Sequence, residues 1–331
     1  MNYHQKNITK AIRQCPTSYK TESDNHSRMR INFDIKRAIV YLMFSFFCYS
    51  VNAQEIMNLY SNGVPGMKSV NTDQDIPSSI VRSVSNPTIQ IFLPEKNKAN
   101  GTAVLICPGG AYKVLMYQAE GINTAKELVK NGVAAIVLKY RLPNDSLMYD
   151  KKDAPLQDAQ QAIKLIREHA KEWNLNEQKI GVMGFSAGGH LASTLATHYN
   201  EPLIKNSNKT SLRPDFQIVV YPVISMQDSL THKDSRTNLL GKTPAKDMID
   251  YFSSELQINS SSPPAYITHA ADDKLVDIDN SINYFEHLRH ANVSVEMHIY
   301  PKGGHGFILR HPEWIAPLFE WMRQTGLINM P

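Results

Sequence analysis

The stretch KIGVMGFSAGGHLASTLATHY, residues 179–199, decides the fold. It opens with a short apolar run, continues with GFSAG at 184–188, which fits the pattern G-x-S-x-G, and ends in small and apolar residues at helical spacing. A strand, a tight turn and a helix in this order hold the serine of the turn exposed at the edge of a sheet. We therefore predict that Ser186 is a nucleophile. A glycine-rich turn with a helix-capping serine is the alternative.

Outside this stretch, short β-rich runs alternate with longer helical runs. The pattern predicts strands over residues 88–94, 102–108, 134–140, 179–184, 216–222, 265–270 and 293–300. It predicts helices over residues 119–131, 154–173, 187–198, 277–290 and 313–324. We therefore predict one α/β domain over residues 54–331, with a mostly parallel twisted sheet and helices on both faces. The polar stretch 223–262 is expected to pass over the carboxyl edge of the sheet, with no large cap domain.

Two downstream loops carry candidates for the base and the acid that a serine nucleophile needs. Asp272 and Asp273 follow the strand predicted at 265–270, and His305 lies among glycines after the strand predicted at 293–300. The carboxyl ends of strands are where the sites of open α/β sheets collect. We predict His305 as the base, because its glycine-rich surroundings have no apolar pattern that it could serve. The spacing leaves both aspartates open as the acid.

Another glycine-rich loop is a candidate for stabilising a developing negative charge. CPGGAY (107–112) follows the strand predicted at 102–108. Backbone N–H groups there, together with that of Ala187 after the nucleophile, can form an oxyanion hole. A phosphate-binding loop is the competing interpretation, but the sequence has neither G-K-[ST] nor G-x-G-x-x-G.

The first 53 residues differ in charge from the rest of the chain. Of 35 Lys/Arg and 31 Asp/Glu in all, residues 1–53 hold eight and three, which leaves 27 basic and 28 acidic groups. Lys36-Arg37 precedes the apolar run AIVYLMFSFFCYS, and VNA (51–53) follows. This order is typical of a secretory signal peptide. We predict cleavage after Ala53 and a secreted or periplasmic protein; an uncleaved anchor is the alternative.

The same residue counts bear on partners and metals. The near-neutral remainder predicts no nucleic-acid partner and no stable membrane insertion after cleavage. Of the three cysteines, only Cys107 lies beyond residue 53, in an apolar strand, and we interpret it as a core residue. No Cys/His cluster has zinc-ligand spacing, so no metal is predicted.

These residues carry a resemblance to a known superfamily. The chain from about 88 to 325 resembles the α/β-hydrolases, in the group of secreted bacterial esterases that includes acetyl xylan esterases and feruloyl/acetyl esterases. The segments that carry it are CPGGAY, LKYRLP, LQDAQQAIKLIREHAKEW, KIGVMGFSAGGHLA, SRTNLLG, SPPAYITHAADDKLV and IYPKGGHGF. The sequence departs from the group in having Ala111 at the usual third glycine and Cys107 where many relatives have histidine.

The resemblance implies an α/β-hydrolase fold and a mechanism through an acyl-enzyme. Ser186 would attack the ester carbonyl, His305 would take its proton, and Asp272 rather than Asp273 would orient His305. No metal or organic cofactor is implied.

The resemblance also assigns the surroundings of the nucleophile. The backbone N–H groups of Ala187 and of Ala111 or Gly110 would hold the oxyanion. Tyr112 would wall the pocket and contact substrate, with a packing aromatic at the strand end as the alternative. Arg141 and Asp158 are interpreted as a structural pair.

The expected activity is a serine esterase acting on short acyl esters, chiefly acetyl esters, of plant-type polysaccharides or oligosaccharides. The polar stretch 223–262 argues against a lipase that docks on lipid. Feruloyl or other small carboxylic esters are an alternative. A prolyl-oligopeptidase-like peptidase shares the D-D-x-x-V loop, but it would bring a large N-terminal propeller. A non-catalytic binding protein of this fold would be expected to lack a triad residue.

Overall fold

The computed structural model describes residues 55–68 and 79–329. Eight strands form one sheet: β1 Glu55–Asn58, β2 Thr88–Phe92, β3 Ala103–Cys107, β4 Ala134–Lys139, β5 Ile180–Phe185, β6 Gln217–Val220, β7 Ala265–Ala270 and β8 Val295–Tyr300. Within these ranges, seven α-helices accompany the strands: α1 Asn123–Lys130, α2 Ala154–Glu168, α3 Ala187–Thr197, α4 Lys233–Leu240, α5 Lys246–Tyr251, α6 Asp279–His290 and α7 Ala316–Gln324. The signal peptide predicted over residues 1–53 lies outside the described residues.

The sheet has the strand order β1-β2-β4-β3-β5-β6-β7-β8. In this order, each pair of neighbouring strands from β4 to β8 is parallel. At the opposite edge, β2 is antiparallel both to β4 and to β1. The predicted mostly parallel α/β architecture is therefore confirmed, and all seven predicted strands are present. Strand β1 was missed because it has four residues, none of them fully buried, and so gives no apolar run.

The successive apolar residues of the central strands have a direct structural cause. Every residue of β3 is buried, because neighbouring side chains point to opposite faces and helices cover both faces. Leu105 packs in the core on one side of the sheet, and Val104 packs in the core on the other.

Two predictions need correction. The helix predicted over 154–173 ends at Glu168, and a separate hydrogen bond from the Trp173 N–H to the His169 carbonyl closes a further turn. The stretch 223–262 is polar, as expected, but it contains α4 and α5. Among the described residues, no helix has both the length and the hydropathy to cross a bilayer.

A buried ion pair fixes the carboxyl end of β4 to helix α2. The Arg141 guanidinium contacts both carboxylate oxygens of Asp158, with Nη2 to Oδ1 at 2.8 Å, and the Arg141 N–H donates to Oδ2 at 2.8 Å. Tyr60 donates its hydroxyl to Oδ1 at 2.9 Å. Neither charged residue is exposed to solvent. These contacts agree with the structural interpretation of the pair.

Replacing Asp158 by Asn is expected to lower the free energy of unfolding by about 3–5 kcal/mol, because it leaves a buried guanidinium without a counter-charge. Urea denaturation of the wild type and the variant measures the difference. The matched control is Asp145→Asn, whose carboxylate pairs with Lys151 but is 80% exposed, and which should change stability little. Equal effects of the two substitutions would contradict the prediction.

Candidate active site

Ser186 occupies a strained turn of one residue between β5 and α3. Its backbone has φ 52° and ψ −120°, a conformation that L-residues rarely adopt. The Ser186 N–H donates to the Val220 carbonyl at 3.1 Å, and its carbonyl accepts from the Val223 N–H at 3.0 Å. Both partners lie on β6 or just after it, so the neighbouring strand holds the strained turn in place.

Two glycines of this turn allow strand and helix to approach closely. A Cβ added at Gly184 would lie 2.0 Å from the Gly188 carbonyl oxygen, and one added at Gly188 would lie 2.1 Å from the Cys107 carbonyl oxygen. Any side chain at either position would therefore push α3 away from β5 and β3.

His305 links the serine to a buried carboxylate. Its Nε2 lies 3.0 Å from Ser186 Oγ, and its Nδ1 lies 2.7 Å from Asp273 Oδ2. The Asp273 side chain is fully buried, whereas the His305 side chain is 20% exposed. The structure thus brings serine, histidine and aspartate together in one continuous hydrogen-bonded chain.

The prediction that Asp272 orients His305 is wrong by one residue. Strand β7 ends at Ala270, and the Asp273 N–H returns to the Ala270 carbonyl at 3.2 Å, which turns the Asp273 side chain inward. Asp272 instead accepts the Gly304 N–H at 2.7 Å, and this hydrogen bond lowers the pKa of its carboxyl. Asp272 therefore fixes the loop that carries the histidine without touching the imidazole.

Four donors surround Asp273. Its Oδ1 accepts the N–H groups of Leu275 at 2.9 Å and Val276 at 3.1 Å. Its Oδ2 accepts from His269 Nε2 at 3.1 Å as well as from His305. Burial raises the pKa of Asp273, but the hydrogen bonds from His269 and His305 outweigh burial and hold the pKa well below its usual range. Asp273 is therefore an ionised acceptor for the His305 Nδ1 proton.

His269 is a site residue that the sequence analysis missed. It is fully buried on β7, and its Nε2 also faces the Val276 carbonyl at 3.1 Å. Because a carbonyl accepts only, Nε2 carries the proton, and Nδ1 accepts the Ser281 hydroxyl at 2.7 Å. The available signal was a histidine inside the apolar run AYITHA, because a polar side chain that is buried needs hydrogen-bond partners nearby.

The predicted oxyanion loop lies beside the nucleophile. A Cβ added at Gly109 would lie 2.9 Å from the Ser186 Cβ. The backbone then takes positive φ at Gly110 (130°) and Ala111 (56°), so Ala111 adopts the strained conformation that the usual glycine would favour. Among the hydrogen bonds of the described residues, none uses the N–H of Gly110, Ala111 or Ala187.

Side chains from two distant elements hold this loop. The Tyr140 hydroxyl donates to the Pro108 carbonyl at 2.7 Å, from the end of β4. Asn238 of α4 donates from Nδ2 to the Ala111 carbonyl at 2.8 Å. The polar stretch 223–262 therefore reaches the oxyanion loop, a contact that sequence spacing could not predict.

Tyr112 is a packing residue, which corrects the prediction that it contacts substrate. It is 2% exposed, and its hydroxyl lies 2.8 Å from Nδ1 of the buried His190 on α3. His190 Nε2 donates to the Phe252 carbonyl at 2.7 Å, so Nδ1 accepts from Tyr112. Burial lowers the pKa of His190 to about 4, which keeps the imidazole neutral. The small exposed part of Tyr112 lines a cleft of about 200 Å³ together with Lys113 and Asn238.

No metal-binding arrangement accompanies these residues. Within the described ranges, no three His, Cys, Asp or Glu side chains are grouped so that they could hold a metal ion. Cys107 is buried, and burial raises the pKa of its thiol, so the thiolate is disfavoured. The chemistry available at the site is that of the serine, the imidazole and the backbone amides.

Comparison with known proteins shows that the chain is similar to an acetylxylan esterase and to a xylanase. It is 37% identical over 241 residues to an acetylxylan esterase of Xylanibacter ruminicola, covering 70% of this chain and 47% of that protein. It is 33% identical over 217 residues to endo-1,4-beta-xylanase B of Butyrivibrio fibrisolvens, covering 64% of this chain and 33% of the other. The chain therefore spans less than half the length of either relative.

A solved structure and a family model complete the comparison. The acetyl ester-xyloside bifunctional hydrolase from Caldicellulosiruptor lactoaceticus superposes with a TM-score of 0.71 at 31% identity, covering 83% of this chain and 98% of the other. The BD-FAE family model matches residues 89–288, which is well over half of the chain. With this match and the sheet described above, the chain belongs to the BD-FAE family and has the α/β-hydrolase fold.

Proposed function

We propose that this chain is a serine esterase that removes short acyl groups, chiefly acetyl, from plant-type polysaccharides or oligosaccharides. The observation that carries the proposal is the chain of contacts from Ser186 Oγ through His305 to Asp273 at the carboxyl edge of the sheet. A hydroxyl, an imidazole and an oriented carboxylate in this order form the arrangement that activates a serine for acyl transfer.

In the proposed reaction Ser186 Oγ attacks the ester carbonyl while His305 Nε2 takes the hydroxyl proton. The tetrahedral intermediate collapses when His305 returns that proton to the sugar oxygen, which leaves as an alcohol and leaves an acyl-serine. Water, deprotonated by His305, then attacks the acyl-serine and releases the carboxylic acid and free Ser186. Asp273 accepts a hydrogen bond from the Nδ1–H of His305 throughout and stabilises the imidazolium that forms in each half-reaction.

The backbone amides beside the serine supply the second component of the mechanism. The Ala187 N–H lies at the first position of α3, where backbone donors have no partner within the helix. Together with the N–H of Gly110 or Ala111 it would donate to the oxyanion of the tetrahedral intermediate. Donors fixed in advance by a folded loop stabilise developing charge without reorganising during the reaction.

The substrate class rests on the relatives and on the N-terminal sequence. Proteins named as an acetylxylan esterase and as an acetyl ester-xyloside hydrolase are both more than 30% identical to this chain. The signal-like residues 36–53 support export to a space where large polysaccharides are met. We include secretion in the proposal for this reason.

A substrate panel tests the proposed class. Purified residues 54–331 are offered acetylated xylan, feruloylated arabinoxylan, an aminoacyl amide, and 4-nitrophenyl esters of short and long acids. We expect acetate release from xylan and a preference for the shortest acyl chains. Preferred hydrolysis of long-chain esters, of feruloyl esters or of the amide would replace the acetyl-ester proposal with the corresponding alternative.

Replacing Ser186 by Ala is expected to lower kcat by about five to six orders of magnitude, as in other serine hydrolases whose nucleophile is removed. The melting temperature should stay close to that of the wild type, because the substitution removes one oxygen from a turn held by backbone bonds. A serine-directed fluorophosphonate followed by peptide mass spectrometry should label Ser186 alone. Labelling of another serine, or an active alanine variant, would refute the assignment.

The neighbouring aspartates provide a matched pair of variants. Asp273→Asn should lower kcat by about 10⁴-fold, because the amide no longer holds the His305 tautomer that accepts the serine proton. Asp272→Asn keeps an acceptor oxygen for the Gly304 N–H, so kcat should fall by about tenfold or less, equal to about 1.4 kcal/mol. Kinetics with 4-nitrophenyl acetate compare them. A larger loss in Asp272→Asn would contradict the geometry described above.

A further inference from the structure

Glu120 is a buried carboxylate that the mechanism above does not use. It lies in a π-helical turn, Tyr117–Ile122, that leads into α1, and it is 8% exposed. Its Oε2 accepts the Gly109 N–H at 2.6 Å, and its Oε1 accepts the Tyr221 hydroxyl at 2.9 Å. One side chain therefore connects two segments of the active site that are far apart in sequence.

The first contact of Glu120 sets the position of the oxyanion loop. Gly109 directly precedes Gly110 and Ala111, whose N–H groups are the proposed oxyanion donors. Gly109 packs so closely that an added Cβ would lie 2.9 Å from both Glu120 Oε2 and the Ser186 Cβ. A shift of the carboxylate would therefore move the donors relative to the nucleophile.

The second contact of Glu120 sets the position of the base. Tyr221 follows β6 in a backbone conformation with φ 39°, and its ring packs edge-on against the His305 imidazole with centroids 4.8 Å apart. The Tyr221 hydroxyl reaches Glu120 from the same ring. The carboxylate thus fixes the aromatic surface against which the imidazole rests.

The turn that carries Glu120 is itself unusual. A π-helical turn contains one residue more than an α-helical turn would, and such turns are frequent at functional sites. The turn packs tightly on the sheet, since a Cβ added at Gly121 would lie 2.7 Å from Val137 Cγ1. The extra residue sets the rotation at which Glu120 enters the core.

The hydrogen bonds of Glu120 indicate which protonation state of its carboxyl they favour. Both oxygens accept and neither faces an acceptor, so the ionised carboxylate satisfies the arrangement. Burial has the largest effect and leaves the pKa of Glu120 above its ordinary value, although the bonds from Gly109 and Tyr221 and the attraction of His305 lower it. Tyr140, the other titratable group facing Glu120, is itself buried and neutral, because burial raises the pKa of its hydroxyl.

The charges around His305 come from several elements. Asp273 and Glu120 are carboxylates that act electrostatically on its imidazole, and His232, before α4, is a further titratable neighbour, with a pKa that burial lowers. Arg310 donates from Nη1 to the His305 carbonyl at 3.3 Å, away from the ring.

We propose that Glu120 is a positioning residue for the hydrolytic reaction: its carboxylate fixes the oxyanion loop and the Tyr221 ring relative to each other, and its charge stabilises the protonated His305 formed when Ser186 attacks. The inference rests on the proposed esterase function.

Three variants separate the effect of the position of the Glu120 carboxylate from the effect of its charge. Glu120→Gln keeps the size of the side chain and removes its charge, Glu120→Asp keeps the charge and shortens the reach, and Glu255→Gln is the control. Glu255 is also a buried carboxyl, 3% exposed, with a pKa raised by burial, and it lies in the short helix Ser254–Gln257. The pH profiles of kcat and kcat/KM are measured with 4-nitrophenyl acetate.

For Glu120→Gln we expect kcat to fall by about 10²-fold, because displacement of catalytic groups by about 1 Å has an effect of that size. Its acid limb of kcat/KM should move to lower pH, since the variant lacks the negative charge that stabilises the protonated imidazole. Glu120→Asp should lower kcat with the acid limb at the wild-type pH, and Glu255→Gln should change neither. A Glu120→Gln variant with wild-type kcat and an unmoved acid limb would overturn the inference.

The rate at which a serine-directed fluorophosphonate labels Ser186 separates this inference from the proposed function, because labelling needs the positioned nucleophile, base and oxyanion loop but no ester substrate. Labelling should be slower in Glu120→Gln and Glu120→Asp than in the wild type, and unchanged in Glu255→Gln. Labelling of Glu120→Gln at the wild-type rate would overturn the inference whatever the activity. A wild-type protein that hydrolyses no ester, together with slowed labelling in the Glu120 variants, would refute the proposed function and leave the positioning by Glu120 intact.

Discussion

The close contact between β5 and α3 at Ser186 is the constraint on which the site depends. A strand becomes a helix within one residue, in a backbone conformation that costs on the order of 1–3 kcal/mol and persists only when its surroundings enforce it. Here β6 enforces it through hydrogen bonds, and Gly184 and Gly188 allow the helix to lie against two strands. The contact that strains the backbone also exposes the Ser186 hydroxyl at the carboxyl edge of the sheet, where the loops after β3, β7 and β8 meet.

Those loops are ordered by buried polar groups rather than by apolar packing. Asp273 lies at the centre of one network, with four donors that keep it ionised and in place. Glu120 lies at the centre of another, with one contact to the oxyanion loop and one to the ring beside His305. Two carboxylates therefore act on the imidazole from different elements, and each is fixed by hydrogen bonds to both of its oxygens.

The parallel sheet, Ser186 and His305 could be predicted because each follows from a local pattern: apolar runs, a G-x-S-x-G turn, and a histidine among glycines after a strand. The acid could not be chosen from two adjacent aspartates, since the choice depends on how the chain turns after Ala270. Glu120 and Asn238 were missed for a different reason. Their partners lie 11 and 127 residues away, and only the folded chain brings them together.

The hydrogen bond between Tyr112 and His190 attaches the oxyanion loop to helix α3, and acid weakens this attachment. Because the folded pKa of His190, about 4, lies below its ordinary value of 6.5, the neutral form stabilises the fold. That contribution is complete above about pH 6.5 and declines as the pH falls towards 4. Protonation of Nδ1 removes the acceptor of the Tyr112 hydroxyl, so acidity weakens the contact between the oxyanion loop and α3. Inactivation in acid would then begin as a loosening of the oxyanion hole in a protein whose sheet is still folded.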